Sequence, residues 1–547
     1  MKVGILGGTF DPIHNGHIAI AKAAGEQFGL DLVFVMPARI PPHKRNATVT
    51  ADIHRAAMTA LALIDEPKLA INLIEFARDG ASYTSDTLSL ILRDHPDTEL
   101  YYIIGQDSLR DFPKWHEPEK IASMAKLLTA IRDDNREEFM KLLAERNAEY
   151  NNAFLPIDSP YVPVSSTELR KQLENGTSSL VKPLVAQYAE RFGLYSGHST
   201  VLREETIKLF TSICEDLKAR LSRHRYEHSL GVAYFAANYL QSNLELQGVA
   251  KSEDGFYDDV QKAFLAGILH DSAKNIPLDT FVQYCEERGI DVDETERQSP
   301  EVLHAKAGRY IAEQEFGITD AEILSAIEKH CLGDNDMNEI DLAVYAADFT
   351  EPFRDHIPAL CSLGEIRRIA LEDVAKASLI ATQCVIKYLE DCGGTICNKT
   401  YETLRMLEQR VQNKNNLMKE NNTNMAKENY TSLDLAKTAY QALENKKGFD
   451  IKVIEIDKVS TIADYFVIAD GNNPSQVEAM VDEVQLQLHQ QYDIEPKRIE
   501  GARNCGWILM DYGDIVVHVF SSQDRLFYDL ERVWRDGTSV ETKDWTE

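Results

Sequence analysis

The sequence predicts a multidomain chain: an α/β unit built on a parallel sheet, then an all-α block, then a small α/β unit with a mixed sheet. Three observations predict this. From Met1 to about Tyr195, short apolar runs alternate with longer helical stretches, the rhythm of strands joined by helical crossovers. From about Val201 to Gln409, nearly every segment has helical spacing and none reads as a strand. Beyond an Asn-rich stretch, Val411 to Tyr430, strand-like runs and turn residues return. At 547 residues the chain exceeds what one hydrophobic core supports, and the composition shifts divide it at 1–197, 198–410, 411–430 and 431–547.

In chain order, the strands of the first unit are VGILG, LVFVMP, LYYIIG and AKLLTAI, and HIAIAKAAGEQFG is the first helix between them. SGHST then interrupts the pattern. VQNKNNLMKENNTNMAKENY is too poor in large apolar residues to bury a core of its own, so a flexible linker is expected there. The last unit begins with a helix at LDLAKTAYQALENK, continues with strands at IKVIEID, YFVIAD, GWILMDYG and DIVVHVF, turns at DYGD, and closes on a helix.

A net charge of -30 excludes broad, salt-driven nucleic-acid binding, because phosphates are repelled wherever cations are not gathered locally. The eight cysteines form no CxxC pair and none precedes Cys214, as expected of a reducing compartment. No apolar run reaches the roughly 18 residues of a membrane span. A cytoplasmic protein without a membrane partner is expected.

In GGTFDPIHNGH, Gly7 and Gly8 let backbone N–H groups approach a ligand, and a helix beginning near Asn15 aims its positive end at the same point. His14 and His17, three residues apart, share a face there and can donate to phosphate oxygens. Downstream, YVPVSSTELRKQL supplies a second helix start, with Ser165 as N-cap, Glu168 closing a capping box and Arg170 projecting from the first turns. Together these stretches resemble the nucleotidyltransferase superfamily, specifically the nicotinate mononucleotide adenylyltransferases. The resemblance implies a Rossmann-like fold that binds ATP and nicotinate mononucleotide, with Mg²⁺ carried by ATP. It also implies that Gly7, Gly8, Thr9, Phe10, Gly105, Asp107, Ser165, Ser166 and Thr167 bind substrate, that Thr84 and Asp86 flank the nicotinate, and that Trp115 faces the pyridine ring. His14, His17, Lys44 of PPHK and Arg170 would carry catalysis. TAIRDDNRE departs from the family, which follows its arginine with a proline or glycine turn.

The helical block places His228 in RYEHSLGV, His270 and Asp271 in AGILHDSAK, His304 in VLHAKAGRY, His330 in AIEKH and Asp348 in YAADFTEP. Helices can converge such side chains on a metal in a bundle core. The set resembles the HD-domain metallohydrolases, and in detail the symmetrical diadenosine-tetraphosphate hydrolases. That resemblance implies two metal ions, iron in the first instance, held by His228, His270, Asp271, His304, His330 and Asp348, with Asp271 bridging and catalytic. Lys274, and less directly Arg354, would reach substrate phosphate, while His224 is read as solvated. Imidazole and carboxylate ligands equally suit manganese or zinc. Another nucleotide phosphoester as substrate, or an inactive domain in a nucleotide-sensing ribosome regulator, stays open.

The last unit shows no catalytic constellation. Asp464, His518 and Ser521 lack a nucleophile turn or any orienting residue pattern. Its segments SLDLAKTAYQALENKKGFDIKVIEI, STIADYFVIADGNNPSQVEAMVDEV and EGARNCGWILMDYGDIVVHVF resemble the ribosomal silencing factor, iojap-like family. The resemblance implies a module that docks on the large-subunit ribosomal protein uL-fourteen and blocks subunit joining, with Trp507 and Tyr512 as contacts. SSQDR after the last strand departs from that family.

Overall fold

Six parallel strands form the first sheet: β1 (Lys2–Gly8), β2 (Leu32–Pro37), β3 (Leu69–Ile71), β4 (Glu99–Gly105), β5 (Ala125–Ala130) and β6 (Phe154–Ile157). Their order is β3-β2-β1-β4-β5-β6. The computed structural model describes the chain apart from residues 40–48, 77, 79–82, 132–135, 159–165, 176–177, 355–361, 427–429, 461–462, 502–505, 529, 535–536, 544 and 546–547. The side chains of 166, 415, 417–426, 526–528 and 533 are likewise outside it.

The central strands read as unbroken apolar runs because both sheet faces are covered. In β4, Leu100, Tyr102 and Ile104 enter one core while Tyr101 and Ile103 enter the other. β3 and β6 span only three and four residues, too short to stand out in the apolar pattern of the sequence. The strand order reverses between β1 and β4, so the segments leaving their C-terminal ends diverge and open a crevice. The helix Asn15–Phe28 starts at this crevice, with His14 as its N-cap residue.

Among its described residues the middle block holds helices joined by turns and no strand, as its spacing predicts. The helices Arg223–Leu246, Asp258–Leu269, Ala321–Lys329 and Glu339–Thr350 pack around a common interior. That interior is continuous with the core on one face of the first sheet: a single cluster of buried residues runs from Leu6 and Val35 through Tyr188 to Phe235, Phe264 and Val344. Met1–Val411 is accordingly one compact unit. At the seam, Tyr234 packs edge-on against His54 and Phe192, with centroid distances of 4.5 and 5.0 Å. Arg191, 7% exposed, donates from the first lobe to the Asn238 carbonyl at 3.2 Å, Asn238 Oδ1 at 2.8 Å, Ser242 Oγ at 2.9 Å and Glu245 at 2.7 Å.

The expected linker differs from expectation. Asn398–Ala426 is one helix, so its backbone carries regular structure through most of the Asn-rich stretch. Asn is a middling helix former, and the interspersed Lys, Glu, Met and Leu offset it.

Gln412–Glu547 is a second compact unit. Its mixed sheet comprises β7 (Phe449–Glu455), β8 (Tyr465–Gly471), β9 (Arg498–Glu500), β10 (Trp507–Asp511), β11 (Ile515–Ser521) and β12 (Thr538–Ser539), in the order β12-β7-β8-β11-β10-β9. β8 and β11 are parallel and the other pairs antiparallel. The helices Ser432–Asn445 and Pro474–Tyr492 cover one face. Among the described residues no helix is long and apolar enough to cross a membrane.

Candidate functional site

The crevice between β1 and β4 gathers most of the described residues predicted for nucleotide chemistry. The His14 and His17 rings stack at 3.6 Å, and the edge of Phe10 meets His17 at 4.9 Å. The His14 backbone N–H donates to His17 Nδ1 at 3.3 Å, which places the proton of a neutral His17 on Nε2 as a donor. On the other side, Thr84 Oγ1 donates to the Tyr102 hydroxyl at 3.3 Å, and the Trp115 ring stands edge-on to Tyr102 at 6.1 Å. A Cβ at Gly7 would lie 2.5 Å from that hydroxyl, and one at Gly8 would lie 2.7 Å from the Phe10 ring, so neither position admits a side chain without displacement. Arg170 reaches the crevice from Ser166–Glu174, donating to the Asp11 carbonyl at 2.8 Å and to Thr167 Oγ1 at 3.4 Å.

Asp86 pairs with Arg78 at 2.6 Å beside Thr84, whereas Asp107 is exposed and near Arg110 at 3.6 Å. Gly105 ends β4 next to open space. Lys44 and Ser165 lie outside the described residues, as does the Ser166 side chain.

Two supporting residues are not evident from sequence patterns. Arg55, 2% exposed, donates to the carbonyls of Thr9, Ala38, Arg39 and Thr50 at 2.7–3.0 Å, tying the segment after β1 to the segment after β2. Asp11 accepts from Thr50 N at 3.2 Å and from the Tyr195 hydroxyl at 3.1 Å. An arginine inside the apolar run HRAAMTALAL is the available signal, since a buried guanidinium needs acceptors.

In the second lobe, five helical segments deliver the six predicted ligands to one place. His228 Nε2 lies 3.0 Å from Asp348 Oδ1 and 3.2 Å from His270 Nε2. His304 Nε2 and His330 Nε2 are 3.0 Å apart. Asp271 stands between the two groups, its Oδ1 within 3.4–3.7 Å of His270, His304 and His330 and its Oδ2 3.8 Å from His228. Two sets of potential ligands thus share Asp271: His228, His270 and Asp271, and Asp271, His304 and His330.

The donor chemistry fits cations. Nδ1 of His270, His304 and His330 each lies against a backbone carbonyl at 2.5–2.7 Å, which assigns the ring proton to Nδ1 and a lone pair to Nε2. The facing Nε2 atoms of His304 and His330 would then repel unless a cation lies between them and Asp271. Burial holds His270 down to about 3 and His304 well below the usual imidazole range, so both stay neutral and competent to ligate. For His228 burial acts in the same direction, but the Asp348 and Glu351 carboxylates outweigh it and lift the pKa to about 10 when no other cation is near.

A cavity of about 360 Å³ opens onto these ligands, with Lys274, Arg225 and Arg354 on its wall. Arg354 pairs with Asp348 Oδ2 at 2.5 Å and Arg225 with Asp271 Oδ2 at 3.3 Å. His224, read as solvated, is exposed and also lines this cavity.

The third unit holds one correction. Tyr512 is 5% exposed and belongs to the core under the helices, so it is not an accessible contact. Its aromatic body is worth more buried there than left in water. Trp507 is half-buried on the opposite face, stacked on Phe520 at 5.0 Å, with its Nε1 donating to His518 Nδ1 at 3.3 Å. Ser521 donates to Asp524, and Asp464 accepts from Ser432, so these two residues are engaged elsewhere and form no triad with His518.

An α/β lobe with its crevice at a strand-order reversal, the place where such sheets bind ligands, joined to a helical lobe whose histidine-aspartate cluster has donors suited to metal ions, marks the class of protein. Comparison with known proteins gives the assignment. Residues 5–172 match the cytidylyltransferase-like family model, 225–352 the HD domain model, and 429–547 the model "Ribosomal silencing factor during starvation". The chain is 38% identical over 196 residues to a probable nicotinate-nucleotide adenylyltransferase of Thermomicrobium roseum, covering 36% of this chain and 91% of the relative. It is 37% identical over 196 residues to the nicotinate-nucleotide adenylyltransferase of Bacillus subtilis, covering 36% and 98%. A crystal structure of a predicted HD superfamily hydrolase involved in NAD metabolism from Clostridium acetobutylicum aligns at 31% identity and a TM-score of 0.32, covering 37% of this chain and 97% of that one. Through its first lobe the chain belongs to the nicotinate-nucleotide adenylyltransferase family, and it carries an HD domain and a ribosomal silencing factor domain after it.

Proposed function

We propose that the first lobe transfers an adenylyl group from ATP to nicotinate mononucleotide, giving deamido-NAD and pyrophosphate. The observation that carries this reading is the convergence of Gly7, Gly8, His14, His17, Thr84 and Trp115 at the β1–β4 crevice of a chain from that family. A mononucleotide phosphate oxygen attacks the α-phosphorus of ATP, the bond to the bridging oxygen breaks, and pyrophosphate leaves. No protein nucleophile is needed, so the work is positioning and charge neutralisation. The protonated Nε2 of His17, the amides at Gly7 and Gly8, Lys44 and Arg170 supply donors to the phosphates, Trp115 and Thr84 seat the pyridine end, and Mg²⁺ arriving with ATP supplies further positive charge. Incubating the full chain with ATP and nicotinate mononucleotide tests this: stoichiometric dinucleotide and pyrophosphate are expected, and failure to form either overturns it.

The second lobe, on this reading, hydrolyses diadenosine tetraphosphate to two ADP. The shared carboxylate of Asp271 and the cavity-facing Lys274, Arg225 and Arg354 support it. Two divalent ions, iron first among the candidates, would be held by His228, His270, Asp271, His304, His330 and Asp348, and when bound would polarise phosphate and lower the pKa of water. Lys274 and the two guanidinium groups would grip the phosphates. The third unit, by the same reasoning, docks on the large-subunit protein uL-fourteen and blocks subunit joining, its acidic chain complementing a basic partner.

A further inference from the structure

His228 is held differently from the other three histidines of the metal centre. His270 and His330 follow the last residues of their helices and His304 begins one, so each finds a carbonyl three residues earlier for its Nδ1: Gly267 at 2.7 Å, Ile327 at 2.7 Å and Glu301 at 2.5 Å. His228 lies inside Arg223–Leu246, where the carbonyls of the preceding turn serve the helix itself. Its Nδ1 therefore needs a partner from elsewhere in the fold. Glu351 provides it, with Oε1 at 2.8 Å from a residue 123 positions away in the chain.

Glu351 directly follows Glu339–Thr350, three residues after Asp348, and is 1% exposed. Its second oxygen accepts from the Phe353 backbone N–H at 2.8 Å. The notch that receives the carboxylate is Gly231, one turn beyond His228, where a Cβ would stand 2.1 Å from Glu351 Oε2 and 2.9 Å from its Cδ. Phe353 in turn packs edge-on against Phe76 of the first lobe at 5.3 Å, and the Phe76 carbonyl accepts from Arg223 at the start of the His228 helix.

We propose that Glu351 is a positioning residue of the metal centre, fixing the His228 ring so that Nε2 faces the ion, and that Phe76 of the adenylyltransferase lobe holds the Glu351 turn in place. The inference rests on reading the six ligands as a metal site. A carboxylate behind a ligating imidazole orients the ring and raises its basicity, and loss of such a partner typically weakens metal affinity about 10–100-fold. It also makes the first lobe a structural component of the second lobe's centre.

The test is Mn²⁺ binding to the full chain, measured by competition with a chromogenic chelator. Wild type should bind two ions. Glu351→Ala should bind one of them at least about tenfold more weakly, Glu351→Gln should recover most of that loss because its amide oxygen still accepts from Nδ1–H, and Phe76→Ala should lose affinity in the same ion. Adenylyl transfer by Glu351→Ala should stay at the wild-type level. Unchanged affinity for both ions in folded Glu351→Ala overturns the proposal, as does a Glu351→Gln variant as impaired as the alanine. Should the alanine variant fail to fold, Gly231→Ala, which displaces the carboxylate, must show the same selective loss, and wild-type affinity there is equally fatal. A wild-type chain that binds no ion refutes the metal-centre reading itself, a result distinct from any variant behaving like wild type.

Discussion

Replacing Arg191 by alanine should weaken both lobes of the first unit at once. The guanidinium leaves the first lobe and ends among Asn238, Ser242 and Glu245 of the helix that carries His228. Its removal orphans Asn238 Oδ1 and Ser242 Oγ, on residues 2% and 8% exposed, while the Asn238 carbonyl keeps its helical partner. Each orphaned buried acceptor costs about 1–3 kcal/mol. The bond to Glu245, whose side chain is 44% exposed, adds little because water screens it. Against these losses stands the relief of an expensive buried charge. The balance is about 3 kcal/mol of destabilisation for alanine and about 2 for methionine, which keeps the packing of the aliphatic stem. Urea titration of the full chain, followed both by adenylyl transfer and by retained metal, measures it. Because the two lobes share one core, the two readouts should fall together and at lower urea in the variant. If metal is lost earlier while adenylyl transfer keeps its wild-type midpoint, the seam does not couple the lobes and the inference from the common core fails.

His17→Ala should lower kcat/KM for adenylyl transfer by on the order of 10²-fold or more, read from initial rates, since it removes a donor to charge that grows in the transition state. Asp271→Asn removes the carboxylate common to both ligand sets, so metal content measured by elemental analysis should fall toward zero while adenylyl transfer is unchanged. In the third unit, burial holds His518 down to about 4, below its unfolded value near 6.5. The folded form then refuses a proton that the unfolded form accepts, so stability is lost as pH falls from about 6.5 to about 4, by roughly 3 kcal/mol in all. His518→Leu should flatten that stretch of the stability profile, and a slope that survives the replacement assigns the effect to other groups.

What the sequence made legible was chemistry carried by closely spaced residues. The GGTF run with His14 and His17, and the six ligands in helical segments, were readable because each sits in a short, chemically unusual stretch. The rhythm of β1, β2, β4 and β5 was readable because apolar runs of about five to seven residues, bounded by turn residues, are the length and composition of buried strands. The short strands β3 and β6 carried too little signal. Arg191 and Glu351 were invisible on different grounds: each is an ordinary charged residue whose meaning comes from partners brought near only by the tertiary fold, and Arg55 left only its place inside an apolar run as a hint. Tyr512 shows the converse, since a tyrosine beside a turn reads as a surface residue until the covering helices are in place.

The seam between the lobes also runs close to both candidate sites. Arg223 binds the carbonyls of Phe76 and Arg78, and Arg78 pairs with Asp86 at 2.6 Å in the crevice. Five residues further along the same helix, roughly 8 Å at a rise of about 1.5 Å per residue, lies His228. Arg39 strengthens the connection, donating to the Arg78 carbonyl at 2.8 Å and lying 3.7 Å from Glu227. The Arg78 backbone on the crevice side and the predicted ligand His228 on the other are therefore fastened to the two ends of about one helical turn and a half. Arg223 thus ties the backbone at Phe76 and Arg78 to the helix that carries His228, so Arg223→Ala, which removes both bonds, should lower the urea midpoint of the full chain, and an unchanged midpoint would show that these bonds contribute nothing to the seam.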